Sequence, residues 1–115
     1  MMTQKQIYET LENAISSKSE VMLSARHGLG SLIDGMRFQP YILGDDSFQY
    51  PFVWGYLPDN NEYYKFMLGN VVAAKSTAGK YDVREDACYQ HAISEDHFGR
   101  LAGFDNIYGQ AAKHR

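Results

Sequence analysis

The chain has 115 residues and a net charge of −3, with acidic and basic side chains interspersed. This length fits one domain and leaves no room for the separate cores of two domains, and this charge indicates no general attraction to nucleic acid or to a membrane surface. The single cysteine, Cys88, cannot form an internal disulfide, and there is no apolar targeting segment or run of membrane-spanning length. We therefore expect a reduced, cytoplasmic protein with no membrane partner.

The N-terminal segment predicts an amphipathic helix. Thr3 and Gln6 have the spacing of a capping box, in which each side chain bonds a backbone N–H group of the other residue. This pattern predicts a helix over 4–16, whose apolar face needs a packing partner. The apolar residues that recur at helical spacing are Ile7, Leu11, Ala14 and Ile15.

Five short strands separated by turn residues are predicted after this helix. Their ranges are 21–26, 36–43, 48–56, 62–68 and 71–75. Pro40 is expected to break or bend the second strand, because proline cannot donate to a ladder. Beyond residue 79 the pattern weakens, and a short helix over 94–101 is expected before a frayed tail.

The third predicted strand carries an aromatic residue at every even position from Phe48 to Tyr56. This period-2 alternation is typical of an extended strand with one apolar face. Pro51 lies inside the run, where it favours a bulge or an edge position. Since a small barrel holds about three of the five large rings, we expect most of them in the core. One or two would face outward, available for stacking or for an interface.

A helix followed by five short strands is the outline of a small SH3-like or Sm-like barrel. We predict a mainly-β α+β fold in one domain over 1–115. Its parts would be an N-terminal helix over 1–19, a five-stranded SH3-like or Sm-like barrel over 20–79 and a mixed C-terminal extension over 80–115. The nine tyrosines are typical of surfaces that are partly apolar and partly hydrated, such as binding sites and subunit interfaces.

Four short stretches of the chain, 14–23, 37–43, 52–56 and 64–71, share the pattern of one known module. The second places a basic residue before a proline and an apolar pair, and the third ends in a Gly-Tyr pair. Together they resemble the WYL domain, a bacterial ligand-sensing module with an Sm-like or SH3-like barrel. The resemblance implies a non-enzymatic regulatory protein that senses a small anionic or nucleotide-like ligand.

This resemblance covers about 11–76, and the chain departs from the family at three places. The family's first-strand tyrosine falls near Ala25. The family's Trp-Tyr-Leu tripeptide falls on Tyr50-Pro51-Phe52, which keeps its apolar character. Asn70 stands where the family has an arginine that points toward the ligand pocket.

Seven residues are candidates for a ligand site. Basic side chains could pair with a phosphate or another anion, and aromatic rings could stack on a base. Arg37 is the strongest candidate because the resemblance also falls on it, whereas Lys65 could equally serve solubility and edge protection. The partners would be a small anionic ligand or an oligonucleotide, together with a partner protein. The seven candidates are Arg26, Arg37, Trp54, Tyr56, Tyr64, Lys65 and Asn70.

Two alternatives stay open. Tyrosine-rich barrel faces and an exposed strand edge could instead make a homodimer that binds no ligand. A small hydrolase or isomerase would use Cys88 and His91, but the sequence shows neither an orienting group nor an oxyanion hole for them. One cysteine and scattered histidines also fall short of a zinc ligand set, so we expect no metal and no cofactor.

Overall fold

A computed structural model describes residues 2–27, 30–46, 48–93, 103, 106 and 107. Over this part of the chain, one long helix precedes five strands and a short second helix. In chain order they are α1 (Gln4–Ser17), β1 (Ser19–His27), β2 (Ser31–Asp45), β3 (Pro51–Leu57), β4 (Glu62–Met67), β5 (Val71–Lys80) and α2 (Ala87–Ile93). A 3-10 turn over Leu68–Asn70 joins β4 to β5. The helix expected over 94–101 and the tail lie outside the described residues.

α1 begins and ends at residues that satisfy its free backbone groups. The Thr3 N–H donates to Gln6 Oε1 at 2.9 Å, and the Gln6 N–H donates to Thr3 Oγ1 at 3.1 Å, which completes the expected capping box. At the other end Lys18 takes the left-handed conformation, with φ 53°, and its N–H bonds back to the last turn. The buried face consists of Ile7, Leu11, Ala14 and Ile15.

The five strands form one antiparallel sheet in the order β4-β3-β2-β1-β5. Neighbours in sequence are neighbours in the sheet except for β5, which crosses over to pair with β1. β4 and β5 are therefore the two edges, although only the 3-10 turn separates them along the chain. The predicted mainly-β α+β fold, with an N-terminal helix and five strands, is confirmed. Closure into an SH3-like or Sm-like barrel stays a prediction.

A bulge beside a proline sets which side chains of β2 face each side of the sheet. The pairing of β2 with β3 shifts register between Pro40 and Ile42. Because of the extra residue, the neighbours Tyr41 and Ile42 both face the same side of the sheet, and Leu43 faces the other side. Pro51, for which a bulge or an edge position is predicted, is instead the first residue of the central strand β3, a position at which its missing N–H costs no central ladder bond.

Two apolar cores lie on opposite faces of the sheet, because alternate residues of β3 belong to different clusters. The helix-side core contains Val53 and Leu57 together with the buried face of α1 and residues of β1 and β5. The cover-side core lies beneath the segment 81–93, which we call the C-terminal cover. Its buried members are Tyr41, Ile42, Phe52, Trp54, Tyr56, Tyr81, Val83, Ala87 and Ile107.

The aromatic run is divided between a turn and the cover-side core. Phe48 and Tyr50 precede β3 and are 78% and 63% exposed, so the strand is shorter than expected. Phe52, Trp54 and Tyr56 are core residues, yet they pack against the C-terminal cover rather than against α1. The expectation that most of the five rings lie in a core is confirmed, but the cover that packs on them is a layer that the weak pattern beyond residue 79 does not predict.

Candidate functional site

A cleft of about 370 Å³ lies between β4 and the facing parts of β1 and β2, and we call it the β4 cleft. β1 and β4 are not neighbours in the sheet, so they reach the same cleft only because the sheet curls. Its apolar lining includes Ile33, Met36, Leu57 and Phe66. An apolar lining with a few polar groups at its rim is the usual make-up of a small-molecule site.

Four of the seven predicted site residues line this cleft: Arg26, Tyr64, Lys65 and Asn70. Arg26 is exposed near the end of β1, and Asn70 is exposed in the 3-10 turn. Tyr64 and Lys65 are half-buried on β4. Residues that are distant in the chain therefore meet at one place.

Lys65 reaches the cleft from the far face of β4. It pairs with Trp54 across the ladder, and its ammonium nitrogen lies 5.6 Å from the centre of the Phe52 ring. The ammonium therefore lies on the cover side of the sheet, although Lys65 is one of the residues that line the cleft. A cation at this distance from a ring is attracted by the ring's quadrupole.

The lining of the β4 cleft carries more positive than negative charge. Among the described residues that line it, Arg26 and Lys65 are basic and Glu62 is acidic, and the amides of Asn60 and Asn70 add hydrogen-bond donors. Sequence reasoning missed Asn60 and Glu62, because they belong to a predicted turn and to the start of a strand. It also missed Ile33, which lies in a stretch with no strand pattern although β2 extends through it.

Arg37, the strongest candidate from the sequence, does not line the β4 cleft. Its guanidinium bonds Glu20 at 3.3 Å and Asp59 at 3.0 Å. The carboxylate of Glu20, followed by that of Asp59, raises the pKa of Arg37. Glu20 also accepts from the Gln39 amide at 2.9 Å. Arg37 is thus part of an ion network that joins β1, β2 and the β3–β4 turn.

Trp54 and Tyr56 lie beneath the C-terminal cover, and each is only 6% exposed. The Trp54 ring stacks on Tyr63 with centroids 4.8 Å apart and planes 7° apart. The Tyr56 hydroxyl donates to Asn61 Oδ1 at 3.1 Å, and the Arg84 guanidinium covers its ring. Neither ring lines the β4 cleft, although Trp54 is the cross-strand neighbour of Lys65.

Hydrogen bonds from tyrosine hydroxyls hold the cover on the sheet. Tyr63 donates to Asp86 Oδ1 at 2.6 Å, Tyr81 donates to the carbonyl of Pro40, and Tyr41 accepts from the Arg84 N–H. Burial raises the pKa of Tyr41 to about 12. The pKa values of Tyr63 and Tyr81 are also raised, in both cases chiefly by burial. These phenols are therefore neutral at ordinary pH and can act as donors.

Cys88 and His91 lie one turn apart on α2, at the cover-side core. Cys88 is partly buried, and His91 is 2% exposed with its ring 5.2 Å from that of Trp54. Within the described ranges, no group of three or more histidine, cysteine, aspartate or glutamate side chains could hold a metal ion. In the same part of the chain, no helix has both the length and the apolar character needed to cross a membrane.

Comparisons with known proteins give no family assignment. No family model, curated protein or solved structure matches the chain. The WYL resemblance therefore stays a prediction, supported only by the short stretches of sequence that share the module's pattern.

Proposed function

We propose that the protein is a non-enzymatic, WYL-like regulatory module that binds a small anionic or nucleotide-like ligand in the β4 cleft. One observation carries this proposal: four residues predicted as ligand contacts, from β1, β4 and the 3-10 turn, line one curled part of the sheet. The WYL resemblance supports the same class of function.

The lining of the cleft suits a ligand with a flat apolar part and an anionic part. Arg26 would pair with a phosphate or carboxylate, since guanidinium presents donors in a planar fork. Asn70 would donate from the 3-10 turn. Ile33 and Phe66 would contact the apolar part of the ligand.

β4 connects the proposed ligand site to the C-terminal cover. Tyr64 lines the cleft, whereas the preceding residue, Tyr63, holds the cover through Asp86. Successive residues of a strand point to opposite faces, so a ligand that orders β4 changes the support of the cover. A partner protein would then detect the altered cover.

Calorimetric titration tests this function, with a nucleoside diphosphate and a short single-stranded oligonucleotide as probes. At low salt we expect one of them to bind, with an affinity that falls as salt rises. Arg26→Ala should weaken binding about tenfold, the value of one charge-assisted hydrogen bond. Arg37→Ala removes the same charge outside the cleft and serves as the matched control. If neither probe binds, or if the two variants weaken binding equally, the proposal is refuted.

Homodimer formation is the second candidate, and the turn before β3 favours it. Asp46 Oδ1 accepts from the N–H groups of both Phe48 and Tyr50 at 2.9 Å, which holds the turn that presents these exposed rings. Exposed aromatic side chains are enriched at subunit interfaces. Trp54 and Tyr56 are buried under the cover and cannot form such an interface.

Light scattering over a range of concentrations tests the homodimer. A dimer through this turn predicts a mass that rises with concentration and stays monomeric in a Phe48→Ser, Tyr50→Ser double variant. Tyr89→Ser, which removes another exposed ring, is the control. A monomeric mass for the unmodified protein at high concentration would eliminate this candidate.

A further inference from the structure

A second cavity, of about 520 Å³, opens between the start of β4 and the C-terminal cover. Its lining combines two tyrosines with charged and amide side chains and shares only Glu62 with the lining of the β4 cleft. We call it the cover cavity. Its residues are Tyr56, Asn61, Glu62, Tyr63, Arg84, Asp86 and Gln90.

A guanidinium group of the chain itself forms part of the wall of this cavity. The Arg84 Cζ atom lies 4.4 Å from the centre of the Tyr56 ring, within the range of a cation–π contact. Its Nε lies 3.3 Å from Asp86 Oδ1. The same carboxylate oxygen accepts from the Tyr63 hydroxyl at 2.6 Å, which orients the acid toward the guanidinium.

The walls of the cover cavity suit a guanidinium better than an anion. The rings of Tyr56 and Tyr63 have centroids 5.1 Å apart and planes at 63°, so they form two walls at an angle. Trp54 stacks behind Tyr63 and fixes its orientation. The charged lining contains two carboxylates, Glu62 and Asp86, and one guanidinium. A negative excess beside aromatic faces favours a further planar cation.

Arg84 is placed where it can leave the cavity. It lies in the irregular segment between β5 and α2, and its side chain is 47% exposed. An ion pair at this exposure contributes little free energy, so water or another cation can compete for Asp86. An arginine of another protein could contact the same Tyr56 ring and the same Asp86 carboxylate.

We propose that the cover cavity is a guanidinium-binding site that Arg84 occupies in cis, and that an arginine side chain of a partner protein exchanges with it. The exchange removes the contact of Arg84 with Tyr56, which links the cover to the sheet, and its ion pair with Asp86 within the cover. The site and its ligand class are independent of the anion site in the β4 cleft.

The experiment uses blocked amino acids as probes and the single tryptophan as reporter. N-acetyl-arginine amide supplies the guanidinium, and N-acetyl-citrulline amide is its uncharged isostere. Both are titrated into the unmodified protein and into Arg84→Ala while Trp54 fluorescence is recorded. The arginine amide should bind Arg84→Ala at least about fivefold more tightly, because the internal competitor is gone. The citrulline amide should bind neither protein.

Charge-matched variants distinguish binding in the cover cavity from binding in the β4 cleft. In the Arg84→Ala background, Glu62→Gln should weaken binding of the arginine amide, whereas Glu9→Gln, an exposed change on α1, should not. Glu62→Gln should strengthen any anion binding in the β4 cleft, which is the opposite sign. Should Arg84→Ala disturb the native fluorescence, Arg84→Gln replaces it. Equal affinity with and without Arg84, or equal binding of the two amides, would overturn the proposal.

Discussion

The helix-side core and the cover-side core lie on opposite faces of one sheet and are filled by different side chains. The buried members of the helix-side core are aliphatic residues and phenylalanines, contributed by α1 and by the strands. The cover-side core contains three buried tyrosines and the only tryptophan, and Tyr63 packs at its border. The first core is stabilised by apolar burial alone, whereas the second also depends on hydroxyl hydrogen bonds.

This difference indicates which layer can move. A buried tyrosine holds its place only while its hydroxyl has a partner, so the cover can be released by changes in a few polar contacts. The helix-side core offers no such contacts among its buried members. We therefore expect the helix side to be the more stable layer and the C-terminal cover to unfold more easily.

Truncation of the helix-side core should have the largest effect. Leu23 is fully buried on β1, in the middle of the sheet. Leu23→Ala should lower the free energy of unfolding by about 3 kcal/mol, since it removes apolar contacts and leaves a cavity. Urea denaturation followed by circular dichroism measures this loss. Leu32→Ala, at a site that is 57% exposed, is the control and should change little. Equal losses for the two variants would contradict the assigned core.

Alkaline pH should act on the cover-side core next. The pKa of Tyr41 is raised from 10.0 to about 12 in the folded protein, so its stabilisation is complete below pH 10 and is lost as the pH rises through 12. The raised pKa values of Tyr63 and Tyr81 act in the same direction. Tyrosinate absorbance and Trp54 fluorescence should change together in this window.

A substitution at Tyr41 tests whether its buried phenol contributes to the loss of stability at alkaline pH. Tyr41→Phe removes one buried phenol, so the loss of stability across the same pH window should be smaller. Tyr50→Phe, in an exposed turn, should leave the loss unchanged. If both variants behave as the unmodified protein does, the buried phenols do not set the alkaline limit.

Loss of one hydroxyl should have the smallest effect and the most local one. Tyr63→Phe leaves Asp86 without this donor and should cost about 1 kcal/mol. Hydrogen exchange should become faster across the cover while α1 stays as protected as before. Uniformly faster exchange, α1 included, would show that the cover and the scaffold unfold as one unit.

The helix-side layer could be predicted from the sequence because its signals are local. The capping box of α1 and the period-2 pattern of the strands depend on residues a few positions apart. The first part of β2 could not be predicted in this way, because 31–35 contains Asp34 and Gly35. Its strand conformation follows from pairing with β1 and from the Ser24 hydroxyl, which donates to Asp34 at 2.6 Å.

The cover and its contacts could not be predicted because they connect distant residues. α2 has only seven residues, too few for a clear helical period, and its place is set by rings of β3 and β4. Arg26 and Arg37 are both basic residues on predicted strands, and the strand pattern does not distinguish them. Only the positions of Glu20 and Asp59 show that Arg37 belongs to an ion network while Arg26 lines the cleft.

The most direct test of the account is a map of amide chemical shifts on addition of a nucleoside diphosphate at low salt. We predict changes centred on Arg26, Tyr64 and Asn70, followed along β4 by changes in the C-terminal cover. Shifts confined to the surroundings of Arg37 or to the turn at Phe48, or no shifts at all, would contradict the assignment of the β4 cleft as the ligand site.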